Sequence, residues 1–91
     1  MTGRYTVLFT KAAEQKFDDL IEKNRKLGER LSTAIEQLTA NPHTGEALSG
    51  QWKGYLKYRV GDYRIIYRIQ QERLIIYIIT IAHRREVYRK I

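Results

Sequence analysis

The chain has no cysteine, one proline, two histidines and no apolar run longer than the nine residues from Leu74 to Ala82. Without cysteine there is no disulfide framework, thiolate metal site or thiol nucleophile, which suits a reducing cytoplasm. A nine-residue stretch, interrupted by Thr80, falls far short of a membrane span, and the segment from Met1 to Tyr5 has no signal-peptide apolar core, so the expected location is cytoplasmic with no membrane partner. Residues 53–91 contain only three acids, Asp62, Glu72 and Glu86, besides His83. They stand at no ligand-like spacing, so the reading calls for no metal and no cofactor, and paired-carboxylate catalysis lacks its residues. A triad of Ser49, His83 and Asp62 has no nucleophile-elbow sequence around it.

Against these shortages stands a surplus of positive charge. The 91 residues carry a formal +7, enough chain for one domain, residues 1–91, with a single core. The charge is uneven: residues 1–52 hold seven Lys/Arg and seven acids, whereas residues 53–91 hold ten Lys/Arg against three acids. The second half is therefore the electrostatic footprint, and its cations alternate with tyrosines, which favours nucleic acid because unpaired bases stack on aromatic rings.

The alternation is sharpest in Tyr55-Leu56-Lys57-Tyr58-Arg59-Val60-Gly61-Asp62-Tyr63-Arg64-Ile65-Ile66-Tyr67-Arg68. Read as a β-hairpin with Gly61-Asp62 as a two-residue turn, it pairs Val60 with Tyr63 and Arg59 with Arg64. Tyr55, Lys57, Arg59, Arg64, Ile66 and Arg68 then share one face, and Leu56, Tyr58, Val60, Tyr63, Ile65 and Tyr67 the other. Facing arginines cost about some tenths of a kcal/mol, and a bound polyanion offsets that cost. An ordinary solvated face is the plainer alternative, although such faces usually mix signs.

The expected fold is α+β. Tyr5 to Phe9 reads as an N-terminal strand, and Thr10 as the cap of an amphipathic helix whose apolar stripe is Ala13, Phe17, Leu20 and Ile21. A second stripe of Leu27, Leu31, Ala34, Ile35 and Leu38 ends at Asn41-Pro42, which completes a two-helix hairpin. Residues 43–53 read as loop. Strands over 54–60, 63–69 and 73–81 form a three-stranded antiparallel meander in one sheet, and Arg84 to Ile91 is expected to add a short C-terminal helical segment.

The chemistry available to this face is cationic and phenolic. It suits cleavage of RNA by its own 2′-hydroxyl, which needs a base, positive charge around the phosphorane and a donor to the departing 5′-oxygen, with no metal. Lys57 is a candidate base if neighbouring cations favour its neutral form, and His83 a candidate proton shuttle. Each has a plain structural alternative, as do Tyr88 as a packing residue and Trp52 as a loop anchor.

Gly54-Tyr55, the run from Lys57 to Tyr67, Ile78 to Ala82, and His83-Arg84-Arg85-Glu86-Val87-Tyr88 together resemble the RelE/ParE superfamily of toxin-antitoxin toxins. The resemblance covers almost the whole chain and implies the strand, helical hairpin and meander order. It implies, for RelE-like members, a ribosome-dependent mRNA endoribonuclease that inhibits translation, partnered by a cognate antitoxin that is acidic and partly disordered; for ParE-type members it implies inhibition of DNA gyrase. By position, Lys57 matches the general-base lysine, Arg64 the phosphate-binding arginine, Arg84 the arginine that stabilises the leaving group, and Tyr88 the C-terminal tyrosine that orients the nucleotide. Tyr55 stands where some members have a second lysine, and His83 beside Arg84 where others have lysine; the resemblance leaves the general acid open between His83 and Arg84. Arg59, Tyr55, Lys53 and Arg68 complete the expected RNA-binding set.

Overall fold

The computed structural model describes residues 4–85. A first strand, β1 (Thr6–Phe9), leads into helices α1 (Lys11–Lys23) and α2 (Arg25–Ala40), followed by strands β2 (Glu46–Ala47), β3 (Leu56–Val60), β4 (Tyr63–Gln70) and β5 (Ile75–His83). The five strands form one mixed sheet in the order β1-β5-β4-β3-β2. Strands β2 to β5 are antiparallel to their neighbours, and β1 pairs parallel with β5.

Each helix starts where a short polar side chain satisfies its first amides. Thr10 Oγ1 accepts from the Ala13 amide at 3.1 Å, and Asn24 Oδ1 accepts from the Leu27 amide at 3.1 Å. Asn24 also ends α1, its own amide bonding to the Leu20 carbonyl at 2.9 Å. Gly28 lets the two helices approach closely, since a Cβ there would lie 3.0 Å from the Ile21 Cα. Leu31, Ala34, Ile35 and Leu38 of α2, with Ala13 and Leu20 of α1, then pack on Val60, Ile65, Tyr67, Ile76, Ile78 and Ile81 of the sheet. The core lies between the helical hairpin and this one face. The opposite face carries a small cluster of Ile66 and Ala82 with Leu48, Tyr55 and Ile79.

The hairpin forms in the expected register, with Val60 opposite Tyr63 and Arg59 opposite Arg64. Gly61 takes φ +60, the left-handed value a two-residue turn needs at its first position. Further along, Ile66 faces Thr80 but Tyr67 faces Ile78, so Ile79 is an extra residue in β5. A bulged residue drops out of the ladder and needs another partner. The Ile79 carbonyl finds one in the Thr10 hydroxyl, at 2.7 Å. One side chain thus caps α1 and satisfies the bulge.

Three features correct or complete the expected architecture. The meander has four strands rather than three, because Glu46–Ala47 pairs with Leu56–Lys57 inside the segment read as loop; two residues are too few for alternation to show. The N-terminal strand, to which the sequence assigned no partner, is a parallel neighbour of the last strand, a pairing between distant residues with no local signature. The strands over 54–60 and 73–81 begin at Leu56 and Ile75, the latter after a short 3₁₀ turn whose end, Leu74, sits at φ +55. Most of the expected C-terminal helical segment lies outside the described residues, and Arg84 and Arg85 are in a turn. Among the described residues no helix is long and apolar enough to cross a membrane.

Candidate functional site

Lys57, Arg59 and Arg64 meet on the sheet face opposite the helices. Ladder geometry brings them there: Arg59 is directly across from Arg64, Lys57 is two residues back on β3, and Arg64 is in turn across from Ala82 of β5. Together with Thr44, Gly45 and Glu46 they line a cleft of about 220 Å³. Arg64 is half-buried and its Nη1 donates to the Tyr63 carbonyl at 3.4 Å. Lys57 is also half-buried, with its Nζ 3.9 Å from Oε1 of Glu46.

The cleft's acidic wall depends on a buried phenol. Tyr67 is fully buried, donates its hydroxyl to the Pro42 carbonyl at 2.7 Å and accepts from the Gly45 amide at 3.1 Å. These bonds clip the loop after α2 to the sheet and carry Glu46 to its place opposite Lys57. Burial pushes the Tyr67 phenol above its ordinary value of 10.0; the Gly45 hydrogen bond acts against this, and Tyr58 adds slightly to it. Gly45 is required here for space: a Cβ would overlap the Tyr67 hydroxyl and lie 2.8 Å from the Lys57 carbonyl.

The other expected site residues fall in three places. Arg84 is exposed, two residues past Ala82, and its amide donates to the Asp62 carbonyl at 2.7 Å, which seals the end of β5 against the hairpin turn. His83 is not brought to the cleft. It pairs with Tyr63, which packs on the helix side, and the two rings meet edge to face at 5.3 Å, while His83 Nδ1 accepts from the Arg85 amide at 3.3 Å. Tyr55 and Arg68 form a second grouping on the cleft's face, with the Arg68 guanidinium carbon 5.5 Å from the Tyr55 ring centre. Trp52 stands edge-on to Tyr55 at 6.3 Å, and Lys53 is exposed in the turn between them. Tyr88 lies outside the described residues.

Glu46 and the phenol clip escape a reading of sequence alone. The one available signal is that Glu46 is the sole acid between residues 37 and 61, just ahead of the basic half. Among the described residues no three or more His, Cys, Asp or Glu are grouped so as to hold a metal ion. What the cleft offers is a concave, cationic surface with one carboxylate, suited to gripping a phosphodiester and moving a proton beside it.

Comparisons with known proteins bear on the family and the fold. Residues 7–88 match the family described as "ParE toxin of type II toxin-antitoxin system, parDE". The chain is 32% identical over 87 residues to Toxin RelG of Mycobacterium tuberculosis, covering 94% of this chain and 98% of that toxin. Its fold superposes on the toxin-antitoxin complex RelBE2 from the same organism with a TM-score of 0.75 and 31% identity, over 88% of this chain and 98% of that one. The YoeB/ParE toxin from Agrobacterium tumefaciens shares the fold at a TM-score of 0.78 and 18% identity, over 86% of this chain and 96% of that one. A family match over residues 7–88, joined to a toxin relative that aligns over 94% of this chain and 98% of its own length, makes this protein a member of the ParE toxin family of type II toxin-antitoxin systems, within the RelE/ParE superfamily.

Proposed function

We propose that this toxin is a ribosome-dependent mRNA endoribonuclease that cuts without a metal and so halts translation. The observation that carries the reading is the convergence of Lys57, Arg59 and Arg64 on one cleft, in a chain related to Toxin RelG. In the proposed reaction the 2′-oxygen of one nucleotide attacks the adjacent phosphorus and loses its proton. The bond from phosphorus to the 5′-oxygen then breaks, leaving a 2′,3′-cyclic phosphate and a new 5′-hydroxyl. Lys57 and Glu46 are the proton-accepting pair, either through the Lys57 amine or through the Glu46 carboxylate with Lys57 kept as a cation against the phosphorane. Arg59 and Arg64 stabilise the added negative charge. Because His83 rests on Tyr63, Arg84 is the proposed donor to the departing 5′-oxygen. Tyr55, and in this reading Tyr88, orient the nucleotide, with Lys53 and Arg68 drawing in flanking phosphates.

A cognate antitoxin follows from the same reading, since the relative RelBE2 is a toxin-antitoxin complex. A +7 chain suits an acidic, partly disordered partner. The cytoplasm, where messages are translated, is the proposed compartment. Primer extension on a translated message, with and without ribosomes, tests the function: ribosome-dependent breaks bearing cyclic phosphate ends are expected. Intact messages beside a loss of DNA supercoiling by gyrase would overturn the reading in favour of gyrase inhibition.

A further inference from the structure

The same sheet face carries a second row of side chains, apart from the phosphate cleft; the proposed cleavage draws on its Tyr55 and Arg68 and leaves Trp52, Tyr77 and Leu8 without a role. Tyr77 of β5 is directly across from Arg68 of β4 on one side and from Leu8 of β1 on the other. The Arg68 guanidinium lies over the Tyr55 ring at 5.5 Å, and Trp52 stands edge-on to Tyr55 at 6.3 Å. The result is a continuous band across the sheet, in the order Trp52, Tyr55, Arg68, Tyr77, Leu8. Its three aromatic rings are half-buried and Leu8 is 47% exposed, apolar surface set on the face that also carries Lys57, Arg59 and Arg64.

We propose that this band is a stacking subsite for bases of single-stranded RNA that flank the cut, an inference that rests on the RNA reading above. Arg64 and Arg68 are four residues apart on β4, about 13 Å along the strand, so a single bound strand of ~4 or more nucleotides reaches from the cleft to the band. Aromatic rings with a guanidinium among them accept any base by its flat face, and the surrounding excess of Lys/Arg in residues 53–91 draws in the connecting phosphates. A protein segment would instead need acidic residues at each of these cations together with apolar ones at the rings. The charge of this half favours the polyanion.

Fluorescence anisotropy with non-cleavable 2′-O-methyl RNA tests the subsite. The probes are a trimer, a decamer, and a decamer of the same length that lacks bases away from its central dinucleotide. The wild-type toxin is expected to bind the full decamer about 5- to 100-fold more tightly than the base-stripped one. Tyr77→Ala is expected to erase that difference while leaving trimer binding unchanged, and Tyr77→Phe to keep it. Circular dichroism of each variant confirms folding, and Leu8→Ser, at the exposed edge of the band, gives a second variant that needs no core rearrangement; its expected loss is smaller. Equal binding of the two decamers by folded wild type overturns the subsite, as does a Tyr77→Ala protein that retains the preference. So does a Tyr77→Ala variant that loses affinity for an acidic antitoxin peptide but not for RNA, which would mark the band as a protein interface. If base-dependent binding holds but no message is cut, the subsite stands and the nuclease reading falls; if cutting is seen without base dependence, the reverse is true.

Discussion

Replacing Tyr67 by phenylalanine keeps the ring that fills the core and removes only the oxygen that holds the loop after α2. That oxygen gives one hydrogen bond to Pro42 and takes one from Gly45, at 2.7 and 3.1 Å. With no cavity created, the cost is that of leaving a carbonyl and an amide without their partner in a largely dry setting, about 1–3 kcal/mol. For a domain of this size each kcal/mol lowers the melting temperature by roughly 4–8 °C, so a fall of about 10 °C is expected for Tyr67→Phe. The loss should be local as well as global. Amide exchange at Gly45 should speed up sharply, and the arm carrying Glu46 should loosen from Lys57, whereas amides of β5 should exchange more slowly than those of the loop. Thermal unfolding by circular dichroism and hydrogen exchange by NMR read both effects. A variant with unchanged melting temperature and unchanged protection at Gly45 would refute the clip.

The same phenol gives an alkaline signature: its folded value is raised above 10.0, so its stabilising contribution is fully present below pH 10 and is lost as pH rises through the higher folded value. Wild type should therefore lose stability in that window more steeply than Tyr67→Phe, as urea titrations at stepped pH would show; parallel slopes would contradict it. Thr10→Val removes both the cap of α1 and the partner of the bulged Ile79 carbonyl, at an expected cost of about 1–2 kcal/mol, and a loss under about 0.3 kcal/mol in denaturant melts would count against the shared role. Glu46→Gln decides between the two members of the proposed proton-accepting pair. If Glu46 is the acceptor, cleavage falls by about 100-fold and loses its acid limb in the pH profile; if Lys57 is, the rate changes little and Lys57→Gln takes the loss instead.

How much of this was legible in the sequence depends on how local the cause is. Thr10 and Asn41-Pro42 mark helix ends because capping and the missing proline amide act within four residues, and the hairpin register follows from Gly61 and a period of two. The cationic face was legible for the same reason, since Lys57, Arg59 and Arg64 alternate with core residues along adjacent strands. The parallel pairing of β1 with β5 was not, because it joins residues nearly seventy positions apart. The bulge at Ile79 shifts the alternation of β5 within an almost uniformly apolar run, where no polar residue marks the change of face. An unshifted ladder would set His83 across from Asp62, on the face of Arg64; the shift sets it across from Tyr63 instead. Glu46 reaches Lys57 through a two-residue strand and a clip from Tyr67, and neither leaves a pattern in a stretch of mixed small and polar residues.

The central claim is that the cations of the β3-β4 hairpin grip one scissile phosphate. Single-turnover cleavage of a defined message on purified, stalled ribosomes tests it most directly, comparing wild type with Arg64→Ala and with Arg73→Ala, a change in the exposed turn before β5. The account predicts a loss of about 100-fold or more for Arg64→Ala in a protein that still folds, and a near-normal rate for Arg73→Ala. Cleavage by Arg64→Ala at the wild-type rate, with the same ends, would contradict it.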